Sequence, residues 1–299
     1  MLRARTAGQG HGKGAAQGAR PDDGSGVLRA LLALRPVVEA TPLGTASGEA
    51  RLALGLAAVT EPGLRPAGPG EERLCAGLPP VRARDFLAGR GALRRALGRA
   101  GQPTAAEILY RTDGVRPAMP PGGVGSLSHS GGVAVALAAP ATHCTALGVD
   151  LERHPLPLSA ARLVLHGDER LIVSSESGEP EPRRQGRRGR YEAAGAAGGE
   201  QRGADRAEDE DGERRPKDEE RRLRELFSAK ESAFKALYGL LPAPHRPTTP
   251  LGIAIRPANG GYSAWARAVP ERVLHVNARW VDSAVLTWTA TDCPAGGTG

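Results

Sequence analysis

One stretch of this chain has almost nothing to bury, and it restricts the fold more than any other feature. From Gly178 to Lys217 the sequence reads "GEPEPRRQGRRGRYEAAGAAGGEQRGADRAEDEDGERRPK". Its charges alternate in sign and its only frequent apolar residue is alanine, so burial cannot offset the entropy of ordering it. The segment is expected to be a disordered charged insert. Residues 1–25, rich in Gly, Ala, Gln and Arg without periodicity, are expected to be a second disordered piece, a tail. A folded body must then be assembled from what lies on either side of the insert. With 299 residues in all, that body has the length of one large domain or two small ones.

The periodicities in the body are mixed. "VRARDFLAGRGALRRALGRAG" spaces Phe86, Leu93 and Leu97 along one helical face, with arginines elsewhere and Gly98 or Gly101 as a stop. "VGSLSHSGGVAVALAAP" reads as two short strands around a Ser-Gly-Gly turn, and "TALGVDLER" as a third strand. After the insert come a long helix holding "LFSAKESAFKALYGL" and then alternating apolar and polar residues to about position 291, in strand fashion. The reading is an α+β fold.

Charge and cysteine spacing remove several function classes. Lys and Arg outnumber Asp and Glu, 40 to 33, which suits a polyanionic partner but equally a solubilising surface. Cys75, Cys144 and Cys293 stand far apart without a CxxC pair, so neither a disulfide framework nor a structural zinc site is indicated. The basic N-terminus lacks an apolar run and no stretch approaches membrane-spanning length. The expectation is a soluble, cytoplasmic protein without membrane association. The arginines of the insert are interleaved with acids, aromatics make up only 3%, and no nucleic-acid reader motif occurs, so no nucleic-acid partner is expected.

Two places carry the residue types of phosphate and metal chemistry. In "GVDLER", Asp150 and Glu152 are two apart on a strand, facing one side while Val149 and Leu151 face the other. Two carboxylates on one face suit a hard divalent cation, although exposed strand faces often look the same. In "FSAKESAFKAL", Glu231 and Lys235 are one helical turn apart, a third carboxylate and a cation. Ser228 with Glu231 also fits a helix capping box, and Glu231 with Lys235 a surface ion pair. In "SLSHS", Ser128 and His129 beside glycines offer donors to an anion. No nucleophile-elbow pattern accompanies these serines, which excludes a serine hydrolase.

Taken in order, "RARDFLAGRGALRRAL", "GSLSH", "GVDLE" and "FSAKESAFKAL" resemble the 4'-phosphopantetheinyl transferase superfamily, in particular the group of the enterobactin-synthase component D, over roughly residues 81–291. The resemblance implies a pseudo-twofold pair of similar α+β halves, which would fall at 26–140 and 141–299. It implies transfer of the 4'-phosphopantetheine arm of coenzyme A to a serine of an acyl or peptidyl carrier protein, with Mg²⁺ in the cleft between the halves. The carrier would serve fatty-acid, polyketide, non-ribosomal-peptide or siderophore assembly. A pseudo-dimeric fold in one chain implies a monomer.

Residue by residue, the resemblance makes Asp150, Glu152 and Glu231 the metal ligands and brings Lys235 and Lys230 to the coenzyme phosphates. Arg82 and Arg90 would contact the nucleotide end, with Ser128 and His129 at its 3'-phosphate. Glu169 of "HGDERL" would be the general base for the carrier serine, unless a water serves. Arg116 stands directly before Pro117, with Met119 where the family has Trp, and its place on the phosphate depends on that altered segment. Glu152 and Glu231 are 231 − 152 = 79 positions apart, longer than the family's usual spacing, and the insert accounts for the excess. The alternative from another class is a non-catalytic relative that binds coenzyme A or the carrier.

Overall fold

A computed structural model describes residues 24–43, 52–111, 116–174 and 204–292. The expected tail lies outside the described residues apart from its last two positions, as do Cys293 and residues 178–203 of the expected insert. In chain order the elements are α1 (Ser25–Glu39), β1 (Ala53–Ala58), α2 (Pro69–Ala76), α3 (Pro80–Arg99), β2 (Gly123–Ser130), β3 (Val133–Pro140), β4 (Cys144–Glu152), α4 (Ala161–Val164), α5 (Gly167–Ser174), α6 (Ala204–Leu240), β5 (Ile253–Ala258), β6 (Gly261–Ala266), β7 (Val269–Val281) and β8 (Ala284–Asp292). α6 begins at Ala204, so residues 204–217, expected as part of a disordered insert, are helical. Ala, Glu, Arg and Lys are good helix formers, and they extend a helix already anchored by packing further along.

Two antiparallel sheets result, one of three strands in the order β1-β3-β2 and one of five in the order β4-β8-β7-β6-β5. β3 states the layering in its own sequence, "VAVALAAP". Val133, Val135 and Leu137 enter a core that also holds Val27 and Leu31 of α1 and Val149, Leu151, Leu286 and Trp288 of the second sheet. Ala134, Ala136 and Ala138, pointing the other way, meet Ala88, Ala92, Leu93 and Ala96 of α3. Bulky residues therefore fill the space shared by the sheets, and small ones let the helix approach. α6 covers the second sheet in the same manner, with Leu226, Ala229, Ala233 and Leu237 against Ile253, Ile255, Ala264 and Val276.

One glycine in each half fixes how close the long helix can lie. A Cβ on Gly55 of β1 would stand 2.0 Å from the carbonyl oxygen of Ala92 and 2.6 Å from the amide nitrogen of Ala96. A Cβ on Gly148 of β4 would stand 1.8 Å from the carbonyl of Ser232, and 3.3 Å from the amide nitrogen of Ala236. Both sites are a strand glycine beneath helix positions i and i+4, so any side chain would push the helix off its sheet. The two halves thus repeat one packing device, α3 on β1 and α6 on β4.

The halves meet where β2 runs beside β4, an outer strand of the five-stranded sheet. The amides of Val149 and Arg153 donate to the hydroxyls of Ser126 and Ser130, each at 3.1 Å. Serines at alternate positions of β2 thereby satisfy backbone donors at the end of the other sheet. Among the described residues no helix is long and apolar enough to cross a membrane.

Candidate active site

A cleft of about 470 Å³ opens between the halves. α3 contributes Asp85, Phe86, Gly89 and Arg90, and β2 contributes Gly125 and His129. α6 contributes Glu231, Phe234, Lys235, Tyr238 and Gly239. Positions 231, 234, 235 and 238 are spaced i, i+3, i+4 and i+7, a single helical face. That periodicity was readable in the sequence, and it extends the expected pair of Glu231 and Lys235 by two aromatic rings.

Arg90 is the most buried cation of the cleft, with 3% of its surface exposed. Its Nε donates to the Ile108 carbonyl at 2.5 Å. Its guanidinium lies 4.5 Å from the ring centre of Phe86 and 5.1 Å from that of Tyr110, a cation held between aromatic faces. Its Nη2 is buried without a hydrogen-bond partner, and burial pulls the guanidinium pKa below its ordinary value. A buried cation with an open donor calls for an anion. The helical pattern had set the arginines off the buried face; Arg90 departs from that, and Tyr110, which completes its slot, carried no motif in the sequence.

Asp150 lies at the junction of α6, β2 and β4, and neither it nor Glu152 is among the residues that line the cleft. Its Oδ1 accepts from Ser128 Oγ and from Lys235 Nζ, both at 2.8 Å, and its Oδ2 accepts from Ser228 Oγ at 2.8 Å. Lys235 also donates to the Val149 carbonyl at 2.9 Å. Glu152 accepts from Ser130 Oγ at 3.1 Å and from the His154 amide at 2.8 Å. The Glu231 carboxyl is pushed above its ordinary pKa, first by burial and then by the charges of Asp150 and Glu152, with Lys235 opposing. The three expected metal carboxylates therefore feel one another. No group of three His, Cys, Asp or Glu side chains disposed to enclose a metal ion occurs among the described residues.

Other expected residues fall elsewhere, for clear physical reasons. Lys230 and Glu169, expected at the coenzyme phosphates and at the carrier serine, line no part of the cleft. Lys230 has no exposed surface and donates to Glu169 Oε2 at 2.6 Å and to the Val164 carbonyl at 2.9 Å. Glu169 accepts further from the His166 amide at 2.8 Å, the Ile255 amide at 3.2 Å and Arg267 Nη2 at 2.7 Å. Position 230 is rotated about 100° from 231 on a helix, which turns Lys230 toward α4 and α5. Burial lowers the Lys230 pKa, against the opposing bond to Glu169.

Ser128, expected at a phosphate, instead gives its hydroxyl to Asp150. Arg82 is largely exposed, outside the cleft lining, with Asp85 3.9 Å away. His129 does line the cleft, 4.0 Å from Asp85, and burial lowers its pKa. Arg116 lines it as well, its guanidinium 5.0 Å from the ring centre of Tyr238. The altered segment around Pro117 still delivers the arginine to the opposite half.

Residues 70–139, which contain α3, Tyr110, Arg116 and the β2–β3 hairpin, match the family model for the 4'-phosphopantetheinyl transferase N-terminal domain. No curated protein matches the chain. The matched domain supports a place in the phosphopantetheinyl transferase superfamily, and phosphopantetheine transfer as the activity in general terms.

Asp150, Glu152 and Glu231 offer hard oxygen donors, but among the described residues they do not form a group disposed to hold a metal ion, and Asp150 already has the Lys235 ammonium at 2.8 Å. Carboxylates and hydroxyls are hard ligands, and Mg²⁺ takes only one or two carboxylates, completing its shell with water and substrate phosphate.

Proposed function

We propose that this chain transfers the 4'-phosphopantetheine arm of coenzyme A to a serine hydroxyl of an acyl or peptidyl carrier protein, as in the enterobactin-synthase component D group. The observation that carries the proposal is the cleft itself. Arg90, Arg116, His129 and Lys235 converge on it from both halves, and residues 70–139 match the model of the transferase N-terminal domain.

In the proposed reaction the carrier serine oxygen forms a bond to the β-phosphorus of coenzyme A. The bond from that phosphorus to the bridging oxygen breaks, and adenosine 3',5'-bisphosphate leaves. Arg90, held between Phe86 and Tyr110, binds the anionic nucleotide end, Arg116 adds positive charge along the cleft, and His129 offers a ring donor there. Lys235 neutralises the pyrophosphate, and the walls fix the line of attack. The serine proton has carboxylate acceptors within the cleft at Glu231 and Asp85. Glu169, enclosed by four donors, takes no part in the step.

One observation favours a second reading, in which the chain binds coenzyme A or the carrier without catalysis. The Lys235 ammonium rests on Asp150 at 2.8 Å, so this carboxylate already has a protein cation. Intact-mass analysis of apo-carrier proteins incubated with the chain, coenzyme A and Mg²⁺ separates the two readings. A covalent mass gain of one phosphopantetheine group is expected. Coenzyme A binding without any mass gain in a panel of carriers would favour the binding protein.

A further inference from the structure

The slot that holds Arg90 is backed by a carboxylate outside the cleft. Glu71, the third residue of α2, has no exposed surface and no part in the proposed reaction. Its Oε2 accepts from the Ala67 amide at 3.0 Å and its Oε1 from the Ile108 amide at 2.8 Å, and Arg94 of α3 donates to the same Oε1. Glu107 returns the contact, its Oε1 accepting from the amides of Gly70 and Glu71 at 2.5 and 3.2 Å. Each carboxylate thus bonds backbone beside the other, which latches residues 107 and 108 to the start of α2.

The latched residue is also the one that holds Arg90. Ile108 is tied to Glu71 through its amide, and through its carbonyl it accepts from Arg90 Nε at 2.5 Å. Tyr110, two residues further on, gives the slot its second ring. A guanidinium is a rigid planar fork, so fixing its Nε direction and its ring contacts also fixes where the open Nη2 points. Burial lowers the Arg90 pKa, and the Glu71 charge is among those that oppose the fall. Glu169 builds a similar clamp at the third residue of α5, on the His166 and Ile255 amides and on Lys230. There the strapped residue lies in β5, outside the cleft lining; in the N-terminal half it carries a cleft cation.

We propose that Glu71 is a positioning residue for the nucleotide end of coenzyme A: through Ile108 it fixes the Arg90 guanidinium so that the open Nη2 donor meets the incoming anion. The inference rests on the reading of Arg90 as the cation that binds that end.

The test is calorimetric titration of the full chain with adenosine 3',5'-bisphosphate, with Arg90→Ala as the reference for a lost contact. Glu71→Gln is expected to weaken binding roughly tenfold, because the amide nitrogen it introduces faces a donor that the carboxylate satisfied. In the Arg90→Ala background the same substitution should add no further loss, since the two residues act as one unit. Glu169→Gln, a clamp variant of the other half, should bind as the wild type does. Glu107→Ala should weaken binding in the same direction and Glu107→Gln, which keeps the accepting oxygen, should not; this pair carries the test if Glu71→Gln fails to fold. Wild-type affinity in Glu71→Gln beside a weakened Arg90→Ala would overturn the proposal, as would a Glu71→Gln loss that persists without Arg90, or an equal loss in Glu169→Gln. Wild-type affinity in Arg90→Ala would remove the reading of Arg90 and the proposal with it. The expected affinities without carrier modification would remove the proposed transfer and leave the positioning role standing.

Discussion

Replacing Glu169 tests whether this carboxylate is a clamp or a base. It is 2% exposed and accepts from Lys230, Arg267 and the amides of His166 and Ile255. Those donors come from α6, the β6–β7 turn, the start of α5 and β5, so one side chain ties four pieces of the C-terminal half. Glu169→Ala strands the fully buried Lys230 with only the Val164 carbonyl. Breaking a buried pair by removing one partner costs about 3–5 kcal/mol. At about 2–4 °C per kcal/mol for a body of this size, the melting temperature should fall by roughly 6–20 °C. Calorimetry checks the fall, and carrier modification measured well below the transition checks the role. Glu169→Gln should melt early and still transfer. An unshifted melting temperature in Glu169→Ala, or a folded Glu169→Gln without turnover, would refute the clamp and return the residue to catalysis.

Three further outcomes follow from the same contacts. Glu231→Gln should leave the melting temperature of the metal-free protein unchanged or higher at pH 7: a carboxyl whose folded pKa is raised by burial and by Asp150 and Glu152 lowers stability once pH exceeds its unfolded value. A clear destabilisation would contradict this, and the same variant should lose transfer. Lys235→Ala should lose transfer by orders of magnitude, because a charge-assisted contact worth about 1.5–3 kcal/mol or more is removed from an anion in a partly dry cleft; steady-state kinetics with unchanged turnover would reduce Lys235 to a local partner of Asp150. Tyr262 donates to Glu225 at 2.7 Å, and burial followed by the Glu225 charge raises its pKa well above the phenol range. Its unfolded form ionises near pH 10 and its folded form does not, so stability should fall above about pH 10 by about 1.4 kcal/mol per pH unit. Denaturant titrations of Tyr262→Phe should lack that component of the slope.

The α+β character, the β2–β3 hairpin, β4 and α3 were legible because each rests on local periodicity or a turn signal. The face formed by Glu231, Phe234, Lys235 and Tyr238 was legible for the same reason. Contacts that depend on which surfaces meet were not legible. Nothing local distinguishes the Lys230 direction from that of Glu231, one residue away, until α4 and α5 are seen packed against one side of α6. Ser128 likewise has a donor that suits an anion, and the anion it meets is Asp150 of the adjoining strand. The resemblance singled out Arg90 for the nucleotide end, but its burial between Phe86 and Tyr110 was not legible in the sequence. α1, β1 and α2 left only a rise in apolar content as their signal. α6 is longer than composition suggested, because a packed helix extends into charged sequence that could not have ordered itself.

The central claim is group transfer through the cleft, and its most direct measurement is release of adenosine 3',5'-bisphosphate, quantified by chromatography in a mixture of the chain, coenzyme A, Mg²⁺ and an apo-carrier protein. Release should match the mass gained by the carrier one for one, and it should vanish when the carrier serine is replaced by alanine. Coenzyme A left intact across carriers of every class, with the chain folded and the coenzyme bound, would contradict the account.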